Sequence, residues 1–238
     1  MILEICTHSF ESALAAQKAG AHRIELCSEL SVGGITPSFG LLEKVLSEVT
    51  IPVYVLIRPR SGNFTYSKSE LNVMLNDIRQ CAAMGVQGIV CGALTSENDI
   101  DVDVTKHLLK ASDGMDVTFH RAFDWCKNPF EALKILEDLG IRRILSSGQK
   151  PTAFEGLELL KALKSHSKTM RIMPGGGINV ENVLAFKEAG FTEIHCSASE
   201  KTQTLPFPPK VSMQSTWEEG IVSHSSEEKI REILNKLS

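Results

Sequence analysis

Short apolar runs rich in β-branched residues alternate with amphipathic helical patterns along the whole chain. Strand-like runs fall at 2–6, 22–27, 53–58, 87–91, 116–120, 142–147, 170–174 and 193–197, each about the length of an ordinary strand. The segments between them carry helix-start chemistry. Ser67 with Glu70 and Thr152 with Glu155 are capping-box patterns, in which each side chain satisfies a free N–H of the first turn. Asn128-Pro129 with Glu131 combines an N-cap residue, a first-turn proline and a box glutamate. Thr36-Pro37 and Asn179 read as further starts. A last helix is predicted from near Ser225 to Leu237, with Ile230, Ile233, Leu234 and Leu237 on one face. Eight strands alternating with eight helices predict a single (β/α)8 TIM-like barrel over 1–238.

An internal repeat favours this closed barrel over an open doubly wound sheet. Glycine, an apolar residue, two variable residues and isoleucine recur at Gly20–Ile24, Gly85–Ile89, Gly140–Ile144 and Gly190–Ile194. The pattern is that of a helix ending on a left-handed glycine and running into a strand. Its copies open strands two, four, six and eight, a fourfold rhythm.

The repeat also predicts register. If its isoleucines face the helices, their neighbours face the barrel axis. The even strands then supply Arg23, Gly88, Arg143 and Glu193 to a lower layer. Glu25, Val90, Leu145 and His195 form the middle, and Cys27, Gly92, Ser147 and Ser197 the top. The odd strands supply Glu4, Leu56, Thr118 and Met173, with Cys6, Arg58, His120 and Gly175 above them. Ionisable groups are seldom buried unless paired or functional, so a polar upper layer marks a built site, at the strand ends where barrels carry their chemistry.

Bulk properties narrow the options. The chain has 238 residues, 42% of them hydrophobic, and a net charge of −4 with both signs interspersed. That excludes a basic nucleic-acid face, and no run nears the roughly 18 apolar residues of a membrane helix. The first residues read as a strand rather than a signal peptide. Six cysteines without a C-x-x-C pair fit reduced thiols in a cytoplasmic protein. The proline- and serine-rich stretch 201–224 reads as an irregular segment of the same domain, which covers the barrel mouth, forms a subunit contact, or has no fixed path.

Three chemistries are open to the upper layers. Gly175, Gly176 and Gly177 after strand seven, with Ser197 and Ser147 at strand ends, suit an anion held by backbone N–H groups, or simply form a tight turn. Arg58 and Arg60 suit a second anion clamp, unless Arg58 only neutralises Glu4 or Glu25. Glu4, Glu25, His120, Asp124 and His195 suit acid–base work or a divalent ion, or else a self-satisfied network. No lysine occupies an interior strand position, and Lys150 lies beyond Gly148 in a loop, which disfavours Schiff-base chemistry. Cys6 and Cys27 end neighbouring strands about 4.8 Å apart and both point inward. Paired thiolates select Cu(I), and the alternative is two small buried thiols. Cys91, Cys196 and Cys81 read as core filler, and Cys126 as an exposed loop residue.

The motifs Ala19–Cys27, Gly33–Ser38, Ile57–Gly62, Phe119–Asp124, Arg143–Gly148, Met173–Ile178 and His195–Ala198 resemble those of the CutC family, named for copper homeostasis. The resemblance runs from the first strand to the eighth and weakens after about residue 200. It implies a cytosolic TIM-like barrel, homo-oligomeric, with copper bound at the positions matching Cys6 and Cys27. The two functional expectations are therefore a Cu(I)-binding protein, with copper as its ligand, and a barrel enzyme (lyase, isomerase or hydrolase) acting on a small anionic metabolite that carries a phosphate or carboxylate.

Overall fold

The eight predicted strands form one parallel sheet in the computed structural model, which describes residues 1–207, 210–211 and 220–238. They are β1 (Ile2–Thr7), β2 (Arg23–Leu26), β3 (Val53–Leu56), β4 (Gly88–Cys91), β5 (Asp116–Phe119), β6 (Arg143–Ser146), β7 (Arg171–Pro174) and β8 (Glu193–Cys196). Their spatial order is β7-β6-β5-β4-β3-β2-β1-β8. Every strand therefore lies beside its neighbours in sequence, and β1 lies beside β8. At the remaining seam a parallel bridge joins Gly175 to His195 and closes the barrel. That seam is thin because β7 ends on Pro174, which has no N–H to give a ladder.

The helices are α1 (Phe10–Ala19), α2 (Phe39–Glu48), α3 (Lys68–Ala83), α4 (Val102–Ala111), α5 (Pro129–Asp138), α6 (Leu157–His166), α7 (Val183–Glu188) and α8 (Glu227–Leu237). Ser67 and Glu70 form the reciprocal capping box of α3, and Asn128 caps α5 with Pro129 as its first residue. Three starts differ from expectation. Ser38, rather than Thr36, caps α2, because the Thr36 hydroxyl is used by Arg58, whose N–H donates to it at 2.9 Å. The Thr152 hydroxyl does accept the Glu155 N–H at 3.3 Å, but in a turn ahead of α6. There Gly148 and Gly156 pack backbone against backbone, and a Cβ on Gly156 would stand 2.0 Å from the Ser147 carbonyl. Asn179 likewise closes a turn onto the N–H groups of Glu181 and Asn182, and α7 begins later.

The predicted register holds. Ile24, Ile89, Ile144 and Ile194 are fully buried in the layer between strands and helices. A separate apolar cluster of Cys6, Cys27, Tyr54, Leu56 and Val90 lies inside the barrel. Below it, buried ion pairs cross the axis. Arg23 binds Glu4 and, at 2.5 Å, Glu193. Arg143 donates to Glu193 at 2.7 Å and to the Thr118 hydroxyl at 3.0 Å. The Tyr54 ring lies 5.1 and 5.4 Å from the two guanidinium groups, and its hydroxyl donates to Asp116 at 2.8 Å.

Tyr54 has room for its ring because β4 opposes it with glycine. A Cβ on Gly88 would lie 2.4 Å from the ring. Gly88→Ala is expected to cost about 1–3 kcal/mol through overpacking, read from urea denaturation. Tyr54→Leu in the same chain should recover part of the loss, and a fully additive double variant would refute the steric account.

The expectation of an irregular segment at 201–224 is corrected at its ends. Strands β9 (Ser199–Gln203) and β10 (Ile221–Ser225) pair antiparallel. The ribbon escaped sequence reading because its side chains are mostly polar and show no apolar alternation; backbone pairing and the His224–Glu200 contact at 3.0 Å hold it. It is tied to the barrel by His8, whose Nε2–H donates to the Ser223 carbonyl at 2.9 Å, and by the Ser225 N–H, which donates to Ser12 at 3.0 Å. Between the strands, 204–207, 210–211 and Gly220 are irregular as expected, and 208–209 and 212–219 lie outside the described residues. Helix α8 then buries Ile230, Ile233 and Leu237, as its pattern predicted. Among the described residues no helix is long and apolar enough to cross a membrane.

Candidate functional site

The upper barrel layers open into a cavity of about 450 Å3. Its deep wall comes from β1, β2 and β8. The His195 Nδ1–H donates to Glu4 at 2.7 Å, and the same nitrogen lies 3.5 Å from Glu25 Oε2. Burial alone would push both carboxyls up, and the outcomes diverge with their neighbours. For Glu4, the Arg23 guanidinium and His195 outweigh burial and hold the group at about 2. For Glu25, burial, reinforced by the Glu4 charge, outweighs His195 and Arg23 and lifts the group to about 7. Burial lowers the basicity of His195, but the bond to Glu4 and the nearness of Glu25 raise it overall. The unit is thus an ionised Glu4, a basic imidazole and a carboxyl poised near neutrality, a combination associated with proton transfer.

The two thiols meet beside this unit, with Cys6 and Cys27 sulfurs 3.8 Å apart and both residues buried. The contact with Cys27 and burial push the Cys6 thiol well above its ordinary range, and the Glu25 and Glu4 charges add to this. Donor atoms of Cys6, Glu25 and His195 lie within 4.8 Å of one another.

The opposite wall is built by the loops after β3 and β5. Arg58 does not pair with Glu4 or Glu25. Its terminal nitrogens donate to the carbonyls of Val32 and Gly34 at 2.9 Å and of Gly62 at 3.0 Å, and its guanidinium lies 5.0 Å from the centre of the Phe64 ring. It therefore staples two loops to the barrel rim. His120 accepts the Ala122 N–H on Nδ1 at 3.2 Å. Burial, with Arg58 nearby, pushes its pKa down to about 3. A neutral ring that accepts on Nδ1 carries its proton on Nε2, so in this arrangement His120 is a hydrogen-bond donor rather than a base.

Gly176, Gly177 and Ser197 line the side wall, as the anion reading requires. Gly175 lies behind it, where a Cβ would stand 2.4 Å from Leu145. Glu4 and Cys27 likewise stand behind the lining, in contact with His195 and Cys6, and three further sequence candidates, Asp124, Ser147 and Arg60, are engaged elsewhere. Asp124 is consumed by hydrogen bonds from Ser146, Ser147, Gln149 and Arg121, because the turn Arg121–Trp125 carries it away from the axis toward β6. Ser147 is held in the same cluster. Arg60 turns outward to Glu70 and to the carbonyls of Ser61, Asn63 and Thr65. Cys126, expected to be exposed, is only 4% exposed, since the same turn folds it inward.

Sequence reading missed Phe64, Arg121 and Trp125, which also line the cavity. They lie in loops or short turns, where periodicity gives no signal. The aromatic pair Phe64–Trp125, with centroids 4.9 Å apart, was accessible only as two loop aromatics following strand ends.

A model of the CutC family matches residues 1–200. A CutC family protein from Pasteurella multocida is 50% identical over 199 residues, 83% of this chain and 82% of the relative. One from Glaesserella parasuis is 41% identical over 241 residues, spanning 100% and 99% of the two chains. The crystal structure of a Streptococcus agalactiae CutC, named for copper homeostasis, superposes with a TM-score of 0.78 at 35% identity, over 83% of this chain and 98% of that one. The chain with the paired thiols at its barrel mouth therefore belongs to the CutC family.

Proposed function

We propose that this protein handles copper as a cytoplasmic Cu(I)-binding protein, with Cys6 and Cys27 as the ligands. The observation that carries the reading is the direct contact of two buried sulfurs, 3.8 Å apart, at the end of the barrel where ligands gather. The donor set fits a soft monovalent ion, because thiolates select Cu(I) over harder metals. All six cysteines are free thiols, which accords with a reducing compartment. Binding requires the Cys6 thiol to give up its proton, so affinity should rise with pH. Anaerobic Cu(I) titration of the wild type against Cys6→Ser and Cys27→Ser is expected to show a loss of about a hundredfold or more in each variant. Unchanged affinity in both would overturn the reading.

A second reading is favoured by the size of the cavity, which far exceeds the needs of one ion and falls in the range of small-molecule sites. In it the barrel is an enzyme (lyase, isomerase or hydrolase) acting on a small anionic metabolite. Gly176, Gly177 and Ser197 flank the ligand, and the Glu4–His195–Glu25 unit moves the proton.

A further inference from the structure

Buried polar atoms in a folded protein nearly always have partners, so those left without one point to a missing ligand group. Three such atoms belong to residues that line the same cavity: Glu25 Oε2, Arg58 Nε and His120 Nε2. The residues are 4%, 6% and 5% exposed. They fall into two chemically opposite sets on two walls. Arg58 Nε carries a proton, and so does His120 Nε2, because Nδ1 of that ring already accepts the Ala122 N–H. Both are donors that need an acceptor. Glu25 Oε2 needs a donor, because His195 spends its Nδ1–H on Glu4 at 2.7 Å and stands 3.5 Å from Glu25.

We propose that the cavity recognises a small hydroxycarboxylate, its carboxylate taken by His120 and Arg58 and a hydroxyl at its other end donating to Glu25. The proposal rests on the small-molecule reading of the cavity and names its ligand class. Charge decides between anions. Arg121 is already neutralised by Asp124 at 2.8 Å, which leaves Arg58, bonded only to carbonyls, as the lining guanidinium open to one negative charge, whereas a dianionic phosphate ester would leave a charge unbalanced beside the glutamate. A ligand ammonium in place of the hydroxyl would stand beside the His195 ring, 3.5 Å from the same carboxyl, whose raised basicity sets a like charge against it. Phe64, whose ring centre lies 5.0 Å from the Arg58 guanidinium and 4.8 Å from the tilted His120 ring, packs against both donors and offers an apolar surface to the carbon chain.

The test is calorimetric titration of the wild-type protein, without added metal, with glycolate, lactate, glycerate and gluconate. Sorbitol, hexanoate and inorganic phosphate serve as comparison ligands. At least one hydroxy acid is expected to bind saturably, and at least tenfold more tightly than the polyol lacking the carboxylate or the acid lacking hydroxyls. His120→Phe keeps a ring against Phe64 but removes the donor. It should weaken that hydroxy acid about tenfold or more, with wild-type thermal unfolding confirming that the variant is folded. Binding of phosphate with no hydroxy acid bound would overturn the proposal while leaving the small-anion reading standing. Saturable binding of none of these ligands would overturn both. Equal binding of sorbitol, or an unchanged affinity in folded His120→Phe, would also overturn the proposal.

Discussion

Arg23→Met is expected to destabilise the protein by about 3–5 kcal/mol at pH 7, the cost of leaving one side of a buried ion pair without its partner. Arg23 lies between Glu4 and Glu193, whose side chains are 0% and 1% exposed. Methionine fills similar space but takes the guanidinium from both carboxylates, leaving buried Glu4 with only the His195 ring, while Glu193 keeps Arg143 and Arg171. The pH dependence checks the cause. Glu4 is held at about 2 against an ordinary 4.5, so its contribution is fully present above pH 4.5 and is lost as the pH falls toward 2. Without Arg23 that carboxyl should rise, and the gap between variant and wild type should shrink as the solution is acidified. Urea denaturation at pH 7 and pH 3 measures both effects. A loss below 1 kcal/mol at pH 7, or a gap that widens in acid, would rule out the ion pair as the cause.

Glu25→Gln should act in the opposite direction. The Glu25 carboxyl is lifted to about 7 from 4.5. Between those values the unfolded chain sheds its proton while the folded protein keeps it, so the wild type loses stability as pH rises through this window. A neutral glutamine avoids the penalty. The gain is expected to be near zero at pH 4.5 and about 3 kcal/mol at pH 8, since each tenfold change in proton affinity is worth about 1.4 kcal/mol. Thermal or urea unfolding at the two pH values reads the difference, and equal stability of variant and wild type at pH 8 would count decisively against it. A residue whose removal stabilises the fold is one kept for a ligand or a reaction.

Much of the barrel was legible because one local pattern repeats. The glycine that ends a helix and the isoleucine four residues on, at Gly20–Ile24 and its three copies, fix the face of each even strand. Alternation then placed Arg23, Glu25 and His195 correctly on the axis, and the two thiols together. Tyr54, which shares a face with Leu56, was not legible as an axial residue, because the run Val53–Leu56 sets no charged position against its apolar ones. Arg58 and His120 were located, but their roles were not legible. Whether Arg58 meets a carboxylate or three carbonyls, and which nitrogen of His120 is engaged, depends on loops that return from elsewhere in the chain. Asp124 looked like Glu25 in sequence, one acidic residue near a strand end. A single turn separates their fates, delivering Asp124 to the N–H groups of Ser147 and Gln149 rather than to the cavity.

The layer of Tyr54, Arg23, Arg143 and Glu193 beneath the site has a kinetic consequence. These side chains are all buried and bonded across the axis, so nothing passes through the far end of the barrel. Among the described residues, whatever reaches the thiols or Glu25 therefore arrives and departs by the upper end of the barrel. An occupant near the rim thus decides when a deeper one can leave, and any two ligands held here must be loaded in a fixed order and released in its reverse.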